Sequence, residues 1–347
     1  MGNEYQEHRE KVHSQGERMR DHKAVRGLLE VTRPALVILI LSGCTEVWPD
    51  PAPIETATLL AEHEEWRGNR EASLVTPPGG AVLWMGLWPI PQGATEFGSD
   101  DELPMVLPLE DSPGIAGTLR RSGQEVTFGP APGSPVRVRS QDPDNEDSVI
   151  ETLVTQPLVL ENDRSGNTTV LALGSLGLRV HSEPGTDRLW LRAWDEDAPE
   201  RETFTLPDYF PVQDRWRVAA RFEPYDEPVI LRFPDVTGGE VEYRAPGELH
   251  FRMDGEEHSL IATAGENSST YFLIMWDSTA VENTYQGGRY LRTELADEDG
   301  WTTIDFNRAY NAPCVFTAFS VCALPPRENW LGLYVSAGEQ RPETAAH

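Results

Sequence analysis

From residue 80 onward the chain alternates short apolar runs with turn residues. The runs "AVLWMGLWPI", "VTFGP", "VRVRS", "TTVLAL", "LRVHS", "LWLRAW", "WRVAARF", "VILRF", "EVEYR", "LHFRM" and "YFLIMW" are rich in β-branched and aromatic residues. Gly, Pro, Asp and Asn separate them, and this punctuation predicts an all-β, mostly antiparallel sandwich or barrel. Upstream, the spacing of Leu59, Leu60, His63 and Trp66 places apolar side chains on one face and predicts one short N-terminal helix over residues 57–70. No second amphipathic stretch of comparable length follows it.

The polar, acidic stretch "RSQDPDNEDSVIET" at residues 139–152 interrupts the strand pattern. It marks either a domain boundary or a long hairpin loop. Taken as a boundary, it divides the body into a helix plus small β-sandwich over residues 57–150 and a second β domain over residues 151–347.

The N-terminal region follows a different pattern. Seven consecutive apolar residues, Ala35 to Leu41, are followed by Ser42, Gly43 and Cys44. That run is shorter than the roughly 20 residues a spanning helix needs, and it fits the apolar core of a secretion signal. "LSGC" at residues 41–44 resembles the lipobox of prokaryotic lipoproteins. The resemblance implies a lipidated Cys44 as the mature N-terminus. The competing reading is a buried strand with an ordinary buried cysteine. Residues 1–43 then form the signal region, with Met19 as an alternative start ahead of Arg20, Lys23, Arg26 and Arg33. Residues 44–56, Pro-rich and acidic, form a tether. The expected location is the cell envelope, membrane-anchored and facing the periplasm or exterior.

Charge narrows the choice of partners. The chain has 57 acidic against 29 basic residues, a net charge of −28. Such a surface repels a phosphate backbone, so no nucleic-acid partner is expected. The expected partners are a membrane, reached through the lipid, and a small polar or anionic ligand.

Two resemblances bear on the body. In residues 80–140, "FGSDDELPMVLP" and "GTLRRSGQEVTF" resemble the forkhead-associated sandwich. The arginine before the serine and the Ser-x-x-His of that family are missing, so the likeness implies a fold and not phosphothreonine binding. Further on, "DSTAVENTYQGGRYL" from Asp277, "DFNRAYNAPC" from Asp305, "CALPPRENWL" from Cys322 and "AGE" from Ala337 resemble the C-terminal signature of a prokaryotic domain-of-unknown-function family. "EWRGNREASL", "LWMGLWPIPQGATEFGSD" and "FPVQDRWRVAARFEPYD" extend the likeness to about residues 62–339. Val281, Ala312, Ala323 and Trp330 depart from its pattern. The likeness implies a region to inspect and no reaction.

The chemistry available there is limited. The sequence has no Gly-x-Ser-x-Gly elbow, phosphate-cradling glycine loop or His-Glu-x-x-His. His250 and His258 flank a predicted turn, "RMDGEE", and lack the tight, matched spacing of metal ligands. Neither a metal nor another cofactor is expected. Cys314 and Cys322, an isolated pair in an exported chain, are expected to form a disulfide. A metal pair, a redox pair or a nucleophilic Cys314 would each need further groups that the sequence does not place nearby.

The signature concentrates polar side chains: Asp277, Thr284, Tyr285, Arg289, Tyr290, Asp305, Asn307, Arg308, Tyr310 and Asn311. They compose either a buried network that fixes an irregular loop or a pocket for a small ligand. The corresponding functions are an envelope lipoprotein that binds a ligand or partner, and a surface-anchored hydrolase. The hydrolase would use Asp277 or Asp305 as acid or base, with Arg289 or Arg308 steadying an anion.

Overall fold

The computed structural model describes residues 48–108 and 112–342. The signal region, Met19 and Cys44 lie outside the described residues. From its start the described chain is held against the body: Trp48 packs edge-on to Trp301, with ring centroids 5.2 Å apart, and Ala52 O accepts from Arg217 Nη1 at 3.3 Å.

The predicted helix is α1, Thr56–Val75. It runs past Arg70 because Leu74 continues the buried stripe begun by Leu59 and His63. It stops at Thr76, whose extended backbone suits the residue before Pro77.

The first β region holds β1 (Trp84–Pro89), β2 (Gly93–Gly98), β3 (Met105–Val106), β4 (Gly117–Ser122), β5 (Glu125–Pro130), β6 (Arg137–Asp142), β7 (Asn145–Leu153), β8 (Leu158–Leu160), β9 (Val170–Leu173), β10 (Leu176–Ser182) and β11 (Leu189–Asp195). They form two sheets, ordered β1-β11-β10-β9-β6-β7 and β3-β2-β4-β5-β8. The alternating apolar positions of both meet in one core, with Phe97, Leu119 and Phe128 facing Leu178, Val180 and Leu191. Each such side chain contributes about 1.5–3 kcal/mol by leaving water. This is the sandwich expected from the period-2 pattern. The acidic stretch at 139–152 forms the β6–β7 hairpin, and β8–β11 beyond it complete the same two sheets.

After the short α2 (Glu200–Thr203), the second region holds β12 (Arg217–Pro234), β13 (Glu240–Met253), β14 (Glu256–Ala262), β15 (Thr270–Met275), β16 (Arg289–Glu294), β17 (Trp301–Asp305) and β18 (Tyr310–Asn311). β14-β13-β12-β17 and β15-β16-β18 form a four- and a three-stranded sheet. "WRVAARF" and "VILRF" belong to one long strand. Its register with β13 slips between Pro224 and Val229, where Pro224 and Pro228 cannot donate to the ladder. The β13–β14 turn places both Asp254 and Gly255 at positive φ, 52° and 85°, as a two-residue hairpin requires. Across that hairpin His258 pairs with Phe251 and His250 with Ser259, so the two histidines point to opposite sheet faces. They cannot share a ligand. No helix among the described residues is long and apolar enough to cross a membrane.

Candidate functional site

The signature residues fall into three networks, the first two built around a capped backbone turn. In the first, Asp277 caps the 3-10 turn Ser278–Val281 by accepting from Thr279 N at 3.0 Å. The same oxygen, Oδ1, takes Thr279 Oγ1 at 2.6 Å and Val335 N at 3.3 Å, while Oδ2 takes Arg289 Nη2 at 2.7 Å. Thr284 closes the set through Thr279 Oγ1, 2.9 Å away. Arg289 is delivered by Gly288, whose φ of +89° and close approach to Met275 O exclude a side chain. Its guanidinium then donates to Val335 O at 3.0 Å and to Ala337 O. Within residues 335–339 the Val335 carbonyl also accepts from Ala337 N, so Arg289 adds a second donor there and supplies the donor for Ala337 O. Arg289 is 0% and Asp277 1% exposed, which seals the pair from solvent.

The second network begins at Asp305, which caps the turn Phe306–Arg308 through Asn307 N at 3.1 Å and also holds Asn307 Nδ2 at 2.8 Å. Asn307, 1% exposed, bonds both backbone groups of Gln213. Its carbonyl receives His63 Nε2 of α1 at 2.7 Å. Burial lowers the His63 pKa, so the ring is neutral and docks the helix as a donor. Arg308 stays at the rim, 3.6 Å from Asp305 Oδ2 and 3.4 Å from Glu62 Oε2. Among the described residues no side chain bonds to both Asp277 and Asp305.

The third network centres on Glu339, which is 0% exposed. Its carboxylate accepts from Arg70 Nε at 3.0 Å, Tyr209 Oη at 2.8 Å and Asn311 N at 2.8 Å. Asn311 Nδ2 donates to Gln340 O at 2.8 Å. Beside it, Tyr290 and Tyr310 face each other across β16 and β18, and Tyr290 Oη donates to Ala323 O at 2.9 Å. Burial pushes the hydroxyls of Tyr285, Tyr290 and Tyr310 above the ordinary phenol range, which suits neutral packing groups. Burial and then the Glu339 carboxylate push Tyr209 up as well.

Cys314 and Cys322 form a disulfide with α-carbons 6.2 Å apart, buried in the core that also holds Phe233, Ile274 and Tyr290. Closing so short a loop contributes about 2–3 kcal/mol through the unfolded state.

Several structural members stand within the quoted motifs without having been singled out. Asn329, 0% exposed, bridges strand backbones through Ile261 N (2.7 Å) and Ile274 O (2.8 Å). Glu339, Thr279, Arg70 and Tyr209 complete the networks, with His63 from the helix face read in the sequence. The signal for Asn329 and Glu339 was their place in "PPREN" and "AGE"; Tyr209 carried none. Two surface clefts, of about 580 and 500 Å3, lie elsewhere, the first lined by Pro89, Glu96, Thr118 and Arg120 and the second by residues 196–202. Among the described residues no three His, Cys, Asp or Glu side chains converge as a metal set.

Comparison with known proteins adds kinship without an activity. Residues 202–340 match a family described only as a protein of unknown function. An uncharacterized protein of Haloarcula marismortui, solved in solution by NMR, is 34% identical. That match covers 41% of this chain and 80% of the other, at a TM-score of 0.35. No curated protein gives a match.

Proposed function

For a chain whose residues 202–340 match the family of unknown function DUF1684, we propose the role of an envelope-tethered binding module that performs no chemistry on its ligand. The observation that carries this is the sealed Asp277–Arg289 pair. A catalytic carboxylate must present a lone pair to substrate. Both oxygens of Asp277 are engaged and the residue is 1% exposed. Asp305 is occupied in capping its own turn and shares no partner with Asp277, so the two acids do not form an acid–base couple. Arg308, with its side chain 35% exposed, is the candidate cation that keeps a solvent-facing edge, and it is where a polar or anionic ligand would touch the signature region.

The test is turnover by the full chain on panels of ester, phosphate-ester and glycoside substrates. The expected rate equals that of buffer. Wild-type turnover that falls about 100-fold or more in Asp305→Asn, the scale of general acid–base catalysis, would restore the hydrolase.

The tether in this reading is a lipid on Cys44, supported by the "LSGC" sequence after its apolar run. Wild-type protein is expected in the membrane fraction carrying a fatty-acyl label, and Cys44→Ala is expected to lose that label. Equal acylation of both proteins would assign the anchor to another residue.

A further inference from the structure

The outer face of the six-stranded sheet carries an arrangement that neither the signature nor the core explains. Arg179 on β10 and Arg192 on β11 are direct cross-strand partners, and His181 and Trp190 form the next pair on that face. Like charges placed opposite each other on a sheet repel. Burial sharpens the repulsion, because Arg192 is 3% exposed and the Arg179 side chain 14%. Thr317, from the second β region, donates to Trp84 O at 3.2 Å at the margin of this face.

The nearby carboxylates offset the pair only in part and give Arg192 no hydrogen bond. Asp163 accepts from His181 Nδ1 at 2.6 Å and Ser182 N at 3.0 Å, and lies 3.7 Å from Arg179 Nε, too far for a hydrogen bond. Glu183 is ion-paired with Arg188 Nε at 2.5 Å, and Arg188 also reaches Asp235 at 2.6 Å. Among the described residues Arg192 makes no hydrogen bond. Its guanidinium stacks 3.8 Å over the Trp84 ring, and its Nε is buried without a partner. The Trp84 indole N–H on neighbouring β1 is likewise buried and unpartnered, while that of Trp190 lies toward Glu183. Burial, and next the Arg179 charge, pull the Arg192 pKa down to about 9, still cationic at neutral pH. A buried guanidinium without acceptors is costly, and groups in native proteins that look orphaned usually have an ion or water as partner.

We propose that Arg192 and Arg179 hold a small oxyanion, a carboxylate, sulfate or phosphate group, on the outer face of the six-stranded sheet. Planar forks carried by directly opposed cross-strand residues suit the paired oxygens of such a group, and the Trp84 ring backs the Arg192 fork. Asp163 and Glu183 offset part of the positive charge, and each has partners of its own, His181 and Ser182 N for Asp163 and Arg188 for Glu183. This site lies in the N-terminal sandwich, outside the signature, and stands or falls separately from the binding reading above.

The test is thermal unfolding of the full chain in sodium phosphate, sulfate or acetate against sodium chloride at equal ionic strength. At least one of the three is expected to raise the wild-type Tm saturably, by about 3 °C at saturation. Arg192→Met is expected to lose that response. In chloride the same variant should melt at or above the wild-type temperature, because it removes a buried charge that makes no hydrogen bond. Oxyanions also strengthen folding generally by exclusion from protein surfaces, and an equal rise in wild type and Arg192→Met would assign the effect to that and overturn the site. No saturable rise in wild type would overturn it too. Should Arg192→Met fail to fold, Arg179→Met and calorimetric titration of wild type with inorganic phosphate decide. One site per chain that weakens at least tenfold in Arg179→Met supports the proposal; no heat of binding, or unchanged affinity, defeats it.

Discussion

Replacing Arg289 with methionine is expected to lower the unfolding free energy by about 3–5 kcal/mol, the range for breaking one side of a buried ion pair. Two losses combine. Asp277 remains buried with its charge and loses the 2.7 Å donor on Oδ2. Ala337 O loses its guanidinium donor, and Val335 O loses one of two, since Ala337 N still bonds it. Pairing Arg289→Met with Asp277→Asn should recover part of the loss. The amide still caps the turn at Thr279 N, and no unpaired charge remains. The check is urea unfolding of wild type, both single variants and the double. The midpoint should fall sharply in Arg289→Met with the slope unchanged, and the double should lie above it. A loss under about 1 kcal/mol would place Arg289 among surface-like ion pairs and undo the structural account of the signature.

Part of the fold could be read from sequence. The strands were legible because one face of each is buried, so apolar residues alternate at the period of the pleat. The disulfide was legible because two cysteines in the body left few alternatives. Element ends were less so: Leu74 extends α1 to Val75, and a bulge at Pro224–Pro228 hides the continuity of β12. The polar signature was visible as composition but its wiring was not. Arg289 and Arg308 looked equivalent along the chain, and only the fold sends one to a sealed carboxylate and the other to the rim. Nothing local in "LRVHS" and "LWLRAW" says that Arg179 and Arg192 become cross-strand partners. Partners 244 residues apart, such as His63 and Asn307, leave no periodic trace at all.

Glu339→Ala is expected to produce the second large effect, about 3–5 kcal/mol, and to release α1 before the rest of the body. The carboxylate joins three parts of the chain: Arg70 from the helix, Tyr209 from the segment before β12, and Asn311 N from β18. Removing it leaves the Arg70 side chain, 13% exposed, with one hydrogen bond to Asn311 O at 2.9 Å and its stacking 4.7 Å over Tyr310. It also orphans a buried backbone N–H at Asn311, a group whose desolvation is not repaid elsewhere. Glu339→Gln keeps the volume but replaces one acceptor with a donor. That donor must face either Arg70 and Tyr209 or Asn311 N, so the variant should fall between wild type and Ala. Limited proteolysis distinguishes helix release from global unfolding. The expected first cuts in Glu339→Ala lie within residues 56–75 while the second β region stays intact, because local opening follows the weakest contacts. If Arg70→Met and Glu339→Ala lose stability additively, the two residues are not coupled and the helix is held by His63 and Leu74 instead.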